Sequence, residues 1–396
     1  MPKLIFNENK IDNMESFLKI CPFGALSCEN GRVVASAACK MCKLCVKNGP
    51  EGAAVFSEEE KISVDKSLWS GIAVYADHEN GKIHPVTYEL IGKARELASK
   101  TGQKVYCLII GDNIEAAAEE LRHYNADEIY VYDRPELKNY LSDIYTAVFE
   151  DFINSVKPCA VLVGATAEGR ELAPRVAARF RTGLTADCTI LDMDKNTDLI
   201  QIRPAFGGNI MAQIITPNNR PQLATVRYKV MNAPERQETA SGRIINCSIK
   251  QEQLLTKTKL LTSQPKASVK TIENAEIIVA AGRGVKSKDD IEMLRSFAEL
   301  LGGELACTRP LVEAGWFDAR HQIGLSGRTV RPKLIIACGI SGAVQFTAGM
   351  NNSDCIIAIN KDEKAPIFKT ANFCVIGDIY DILPKMIQKL KNSERS

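Results

Sequence analysis

The sequence predicts an α/β protein in three parts: a doubly wound domain at residues 265–396, a second α/β domain at 67–264, and a small cysteine-bearing α+β module at 1–66. Three observations predict it. From Ser70 onward short apolar runs alternate with amphipathic helical stretches, the texture of βαβ units and a mostly parallel sheet. The chain has 396 residues, more than one hydrophobic core ordinarily holds. Near the N-terminus, four cysteines stand at the spacing of a metal motif.

Composition narrows the function classes. With 45% apolar and 25% charged residues, the chain reads as a soluble globular protein. A net charge of +2, with no basic tract, argues against nucleic acid or a membrane surface as partner. The opening MPKLIFNENKIDNMESF has no apolar segment long enough for a signal peptide or a membrane span, so the expected location is cytoplasmic. Thirteen cysteines in such a chain do not imply a disulfide framework. Nine fall singly, mostly in apolar strands (Cys107, Cys159, Cys338, Cys355, Cys374), where they serve as small hydrophobes.

In the N-terminal module Cys21 precedes Pro22, and Cys39, Cys42 and Cys45 follow as C-x2-C-x2-C. Two-cluster bacterial ferredoxins repeat C-x2-C-x2-C-x3-C-P, and the fourth cysteine of each repeat ligates the other cluster. The module therefore reads as ferredoxin-like, the end of one repeat plus most of the next. Where the second repeat would place its own Cys-Pro the chain has Gly49-Pro50, and no C-x2-C-x2-C run precedes Cys21. Four thiolates remain, enough for one [4Fe–4S] cluster. A structural zinc site is the competing reading, although it ordinarily uses two separated C-x2-C pairs. Cys28, in the turn-like stretch SCENG, reads as a bystander.

In the second part, apolar runs at 71–76, 104–110, 129–132 and 160–164 alternate with helical patterns at 86–100, 113–124, 140–157 and 168–181. The turn from Gly164 to Arg170 could bring Thr166, Gly169 and Arg170 to a phosphate, but a plain helix N-terminus is the favoured reading. Residues 199–206, 209–216 and 222–227 read as an antiparallel patch at the edge of the parallel sheet. Residues 235–270 are polar, and read as an edge strand at 244–249 plus a connection between domains.

The last part offers strands at 276–281, 304–308, 333–338, 355–359 and 373–376. Ser287 and Asp290 form an S-x-x-D cap for a helix that glycine ends near 303. A helical pattern follows Ala343. All five strands end in polar or glycine punctuation: Gly282-Arg283-Gly284, Thr308-Arg309, the turn 339–342, Asn360, and Gly377-Asp378. A doubly wound sheet binds its ligand at such ends, and a Gly/Ser turn opening a helix offers N–H groups to a phosphate.

Several of these stretches closely resemble the FAD domain of electron-transfer flavoprotein alpha subunits: AAGRGVKS (280–287), CTRPLVEAGW (307–316), HQIGLSGRTVRPKLIIACG (321–339), GISGAVQFTAGM and AINKDEKAPIF. The resemblance is dense over the last third of the chain and looser before it, where GRELAPRVAARFRTGLTADC resembles the family's partner-facing segment. It does not cover the first 65 residues. It implies that Arg283, Ser341 and Gly342 hold the FAD pyrophosphate, with Gly339 and Ala343 beside them, and that Asn360, Asp378 and Ile379 take the adenosine end. It also implies that Thr308, Arg309, Gln322, Ile323, Gly324, Leu325, Ser326, Val344, Gln345 and Phe346 lie by the flavin ring. Arg309 would favour the ring's anionic form, and Ser326 would hydrogen-bond its central nitrogen. One position departs from the pattern. Many alpha subunits carry histidine where this chain has Phe346, and a phenyl ring offers the flavin carbonyl no hydrogen bond. His321 is the only histidine near the site by sequence, and reads as a surface residue.

The implied function is electron transfer within an oxidoreductase complex, with FAD and one [4Fe–4S] cluster as cofactors. The N-terminal extension resembles the alpha subunits of electron-bifurcating complexes. The partners implied are a beta subunit binding NADH and a second FAD, a flavin dehydrogenase of acyl-CoA or hydroxy-acid type, and ferredoxin. A non-bifurcating transfer flavoprotein and a non-redox module with a structural metal are the rival readings. A self-contained nicotinamide dehydrogenase is disfavoured, because neither α/β domain has G-x-G-x-x-G after its first strand.

Overall fold

A computed structural model describes residues 3–57, 64–264 and 271–393, and the chain divides into two compact units, Met1–Val64 and Asp65–Ser396. Residues 265–270 of the expected connection lie outside the described residues. The small unit pairs Lys3–Phe6 antiparallel with Ala54–Ser57, beside a hairpin of Leu26–Glu29 with Arg32–Ala35. Asn30 and Gly31, both at positive φ, make the hairpin turn, the Asn-Gly signature of a tight two-residue loop. Cys28 lies on the first hairpin strand opposite Val33 and is exposed; the turn of SCENG begins only at Asn30. Helices Met14–Leu18 and Leu44–Asn48 cover a core of Phe17, Leu26, Val33, Cys45, Ala53 and Ala54.

In the large unit seven strands form one all-parallel sheet, in the order Leu184–Cys188, Gln222–Val226, Ala160–Gly164, Ile72–Tyr75, Val105–Gly111, Glu128–Asp133 and Arg243–Asn246. Helices Pro85–Thr101 and Glu115–Leu121 seal one face, and Ser142–Val156 and Ala167–Arg179 the other. Pro85 occupies the first turn of its helix, where its missing N–H costs nothing, and Gly102 at φ 67° closes it.

Two expectations need correcting here. Gln222–Val226 is a central parallel strand, and the antiparallel patch consists of Ile190–Met193, Leu199–Ala205 and Ile210–Ile214. Polar Gln222 and Thr225 made that strand read as an edge. Both are buried and satisfied: Leu199 N–H donates to Gln222 Oε1 at 3.0 Å, and Asp187 N–H to Thr225 Oγ1 at 2.9 Å. The helical pattern after Ala343 amounts to one turn, Val344–Thr347. The chain leaves it because Gly349 packs on Gly324, where a Cβ would stand 2.5 Å from the Gly324 nitrogen, while its carbonyl accepts from Val330 N–H at 2.8 Å.

A second all-parallel sheet has the order Glu304–Cys307, Ile277–Ala281, Leu334–Cys338, Cys355–Asn360, Phe373–Ile376. Helices Ile291–Leu300 and Ile379–Ser393 pack on one face through Leu294, Phe297, Ile379 and Leu383. The other face buries Ile323, Val330, Ile340, Phe346, Met350 and Ile367. Ser287 and Asp290 exchange hydrogen bonds, Ser287 N–H to Asp290 Oδ2 at 3.0 Å and Asp290 N–H to Ser287 Oγ at 3.4 Å, but this pair closes the turn before the helix: Ile291–Leu300 has Asp290 itself at its N-cap, without a side-chain cap bond. Among the described residues no helix is long and apolar enough to cross a membrane.

Candidate functional site

From Ile277–Ala281 the chain first crosses to Glu304–Cys307 on one side and then to Leu334–Cys338 on the other. That reversal opens a crevice outside the carboxyl ends of the first and third of these strands, where an open α/β sheet takes its ligand. Two glycine turns meet there. Gly282 N–H donates to Cys338 O and Gly284 N–H to Gly339 O, each at 2.9 Å. A Cβ on Gly284 would stand 2.6 Å from Gly339 Cα, and Gly339 itself has φ 62°, so only glycine permits this approach. Next, Ile367 N–H donates to Ser341 O at 3.0 Å, and Gly342 at φ 86° has no room for a Cβ against the Ile367 backbone.

The N–H groups of Ser341, Gly342 and Ala343 donate no hydrogen bond to the chain among the described residues. Arg283 is exposed at the tip of the neighbouring turn and has no ion-pair partner among them. Unspent N–H donors, a surface stripped of Cβ atoms and an available guanidinium suit the pyrophosphate of a dinucleotide.

The other expected residues divide by what their side chains touch. Asn360 spends its amide locally: Nδ2 donates to Ile340 O at 2.8 Å, and Oδ1 accepts from Asp362 N–H at 3.0 Å. It thereby ties the end of its strand to the glycine turn. Asp378 accepts from Tyr380 N–H at 3.1 Å and stands 3.9 Å from Lys286 Nζ. Ile379 turns its side chain into the core. Thr308 is buried, its N–H bonded to Ala281 O at 3.0 Å; Arg309 is exposed and paired with Glu313 at 2.8 Å.

The loop 322–327 is held from below. Buried Gln322 donates from Nε2 to the exposed Ser326 Oγ at 2.9 Å, Ile323 is in the core, and Leu325 N–H donates to Gln345 O at 2.8 Å. Gly324, at φ 134°, passes so close to Gln345 that a Cβ would stand 2.5 Å from its carbonyl oxygen. Val344 is exposed, while the Gln345 amide donates to Gly207 O at 2.9 Å.

Phe346 is 5% exposed and packs in the core with Ile323, Val330 and Met350 rather than standing open at the site. An imidazole there loses apolar contact and buries polar nitrogens. Phe346→His is expected to lower stability by about 1–3 kcal/mol. Thermal melts of the two proteins check this; an unchanged melting temperature would place the ring outside the core. His321 is half-buried and its Nδ1 has no hydrogen-bond partner, so it is not a plain surface residue.

At the carboxyl end of the seven-stranded sheet, Thr166 caps its helix by accepting from Gly169 N–H at 3.0 Å, and its hydroxyl donates to Asp77. Tyr75 donates to Glu168 beside it, and burial pushes the Glu168 carboxyl up to about 7. This acidic network supports the helix-cap reading of the turn and repels a phosphate.

In the small unit Cys21, Cys39, Cys42 and Cys45 line one recess with Leu4, Phe23, Leu26 and Leu44, and Cys28 does not. Met41 and Lys43, between the cysteines, adopt left-handed conformations (φ 51° and 62°) that curl the loop around the recess. Ala25 N–H points at Cys21 Sγ (3.4 Å) and Met41 N–H at Cys39 Sγ (3.5 Å). Burial pushes the Cys45 thiol up, with Cys39 and Cys42 adding to it. Gly49 packs on Cys45 O and the Phe17 ring, which leaves no space for the cysteine of a complete repeat. Among the described residues no three His, Cys, Asp or Glu side chains form a group that would hold a metal ion as they stand.

Sequence reasoning missed the turn Phe206–Gly208, at the tip of the antiparallel patch, and Arg227, just past the seven-stranded sheet's Gln222–Val226; both reach the loop 322–327. Their own signals, a Gly-Gly pair and a strand end, say nothing of a distant partner. Gly208 lies against Leu325 and Val344, and Arg227 Nη2 donates to Leu325 O at 3.1 Å.

Comparison with known proteins bears on the whole chain. The family model described as the electron transfer flavoprotein domain matches residues 72–251, and that of the electron transfer flavoprotein FAD-binding domain matches residues 271–351. A subunit of the lactate dehydrogenase (NAD(+),ferredoxin) of Acetobacterium woodii, LctC, is 56% identical over 100% of this chain and 94% of its own length. The electron transfer flavoprotein subunit alpha of Thermoanaerobacterium thermosaccharolyticum is 44% identical, over 82% of this chain and 98% of its own length. The acryloyl-CoA reductase electron transfer subunit beta of Anaerotignum propionicum is 41% identical, over 84% and 99%. With a crevice suited to a dinucleotide at the strand-order switch of its FAD-binding domain, the chain belongs to the electron-transfer flavoprotein family, as a subunit of the alpha type.

Proposed function

We propose that this subunit carries FAD in its last domain and one [4Fe–4S] cluster in its N-terminal unit, and passes single electrons between a beta-subunit flavin reduced by NADH, a flavin dehydrogenase and ferredoxin. The observation that carries the cluster is the shared recess of Cys21, Cys39, Cys42 and Cys45, four soft donors in one place. Bound there, a cluster supplies a one-electron relay. The chain would hold it by those four thiolates, and the amides of Ala25 and Met41 would temper the charge on two of them. The FAD would lie with its pyrophosphate on Arg283 and the turn 339–342, and with its ring toward the loop 322–326, beside Arg309.

Two further observations favour bifurcation, in which one hydride's electrons part between ferredoxin and the dehydrogenase. The relative aligned over the whole chain is named for NAD(+) and ferredoxin, whereas the Thermoanaerobacterium alpha subunit leaves unmatched about as much of this chain as the small unit holds. Residues 30–50 also contain Arg32, Lys40, Lys43 and Lys47 and no acidic residue, and these positive charges would attract an acidic electron acceptor. The same relative's name, a lactate dehydrogenase, is what favours the hydroxy-acid type of dehydrogenase in this reading, and the complex is placed in the cytoplasm.

The test is anaerobic purification followed by metal and flavin analysis, then assembly with the beta subunit. The expected protein contains FAD and about four iron per chain. NADH should then reduce ferredoxin only when the dehydrogenase and its acceptor are also present. Zinc in place of iron would remove the cluster from the reading; iron without coupled ferredoxin reduction would leave a plain transfer flavoprotein.

A further inference from the structure

Arg227 stands at the end of the buried strand Gln222–Val226, in the first α/β part of the large unit, yet its side chain reaches the FAD-binding domain. The side chain is 13% exposed. Its Nη2 donates to Leu325 O at 3.1 Å, and its Nε is buried with no acceptor. The carboxylate nearest to it, Asp187 Oδ2, is 3.5 Å away and shared: Asp187 Oδ1 already takes Arg170 at 3.1 Å. Asp187 sits at positive φ (58°) in a bulge of the edge strand Leu184–Cys188, pinned by the Thr225 hydroxyl. Burial, together with the nearby Arg170 and Arg203, holds the Arg227 pKa below the usual guanidinium range. Two guanidiniums, those of Arg170 and Arg227, share one carboxylate here, with Arg203 adding a third positive charge nearby, an expensive arrangement if its only purpose were packing.

What this arginine grips matters more. The Leu325–Ser326 peptide is planar and trans, so its C=O and the N–H of Ser326 point in opposite directions. Arg227 fixes the carbonyl, and Leu325 N–H is fixed on Gln345 O at 2.8 Å. The Ser326 N–H is thereby aimed away from Arg227, and it donates no hydrogen bond to the chain among the described residues. A cationic donor on the carbonyl also polarises the peptide, making that N–H a stronger donor.

We propose that Arg227 is a positioning residue of the flavin site: by holding the Leu325 carbonyl, it aims and polarises the Ser326 N–H toward the flavin ring. The inference rests on the assignment of the loop 322–326 to the ring side of FAD. A donor strengthened in this way stabilises negative charge on the reduced ring, so Arg227 raises the flavin's potential from outside the site.

The experiment compares Arg227→Lys, Arg227→Gln and Asp187→Asn with the parent subunit, using the full chain with its bound FAD. Arg227→Gln is expected to keep its FAD content and to lower the midpoint potential of that flavin, with Arg227→Lys in between. In the FAD-free proteins, hydrogen exchange over residues 322–328 should be several-fold faster in Arg227→Gln than in the parent. Asp187→Asn tests the support of the arginine, and should shift the same two readouts in the same sense. Ser326→Ala, measured beside them, separates the inference from the assignment beneath it. If Ser326→Ala moves the potential and Arg227→Gln moves neither potential nor exchange, Arg227 has no positioning role. If neither Ser326→Ala nor any of the Arg227 and Asp187 variants moves the potential, the assignment of the loop fails and the inference with it.

Discussion

Arg283→Ala is expected to purify folded but poor in FAD. The arginine is exposed between two glycines and has no ion-pair partner among the described residues, so its removal leaves the core untouched and changes stability by no more than about 0.5 kcal/mol. Its functional loss is much larger. A charge-assisted contact to a phosphate is worth roughly 1.5–3 kcal/mol, or about 10- to 150-fold in affinity. The measurement is FAD retained after gel filtration, with the dissociation constant by fluorescence titration of the apoprotein. An unchanged constant would remove Arg283 from the pyrophosphate site and leave the N–H groups of the turn 339–342 as its only occupants on this side. The glycines around it argue the other way: the turns 282–284 and 339–342 touch backbone to backbone, an approach made without a single Cβ between them.

Cys21→Ser is expected to damage the proposed N-terminal cluster as severely as Cys42→Ser, while Cys28→Ser should keep about four iron per chain. In a two-cluster ferredoxin the cysteine before proline belongs to the far cluster, so a surviving single cluster retains that crossing ligand and can spare its own. Both halves of the argument have a physical counterpart. Cys21 lines the recess with Cys39, Cys42 and Cys45, although 17 residues separate it from Cys39 in the sequence. The position of the lost cysteine, Gly49, is closed off by Cys45 O and Phe17. Cys28 stands on a hairpin strand opposite Val33, away from the recess. Iron analysis and the EPR signal of the reduced proteins decide the matter. A Cys28→Ser protein without iron, beside an intact Cys21→Ser protein, would falsify the ligand set.

The parallel strands were legible because burial on both faces leaves continuous apolar runs, and a run such as LIIAC needs no partner to be recognised. The glycine turns at 282–284 and 339–342 were legible for a similar reason, since a strand-to-helix turn is a local object. The cysteine spacing belongs with them. Where polar residues are satisfied by distant neighbours, local reading failed. Gln222 and Thr225 look like an edge until Leu199 and Asp187 are seen donating to them. Phe346 fell in a motif whose family pattern places it at the ring, but its side chain is settled by what lies beneath it: Ile323, Val330 and Met350, brought together from separate loops. Arg227 shows the limit most plainly. In sequence it is the residue after a strand, 98 positions from Leu325, and only the folded chain brings its guanidinium to that carbonyl. The sequence by itself determined the strands, the turns and the sulfur ligands on offer, because each depends on residues close along the chain. Tertiary structure alone decided which side chains are spent on the core and which surround the site, because a hydrogen bond or an apolar contact acts over a few ångströms of space, whatever the separation in sequence.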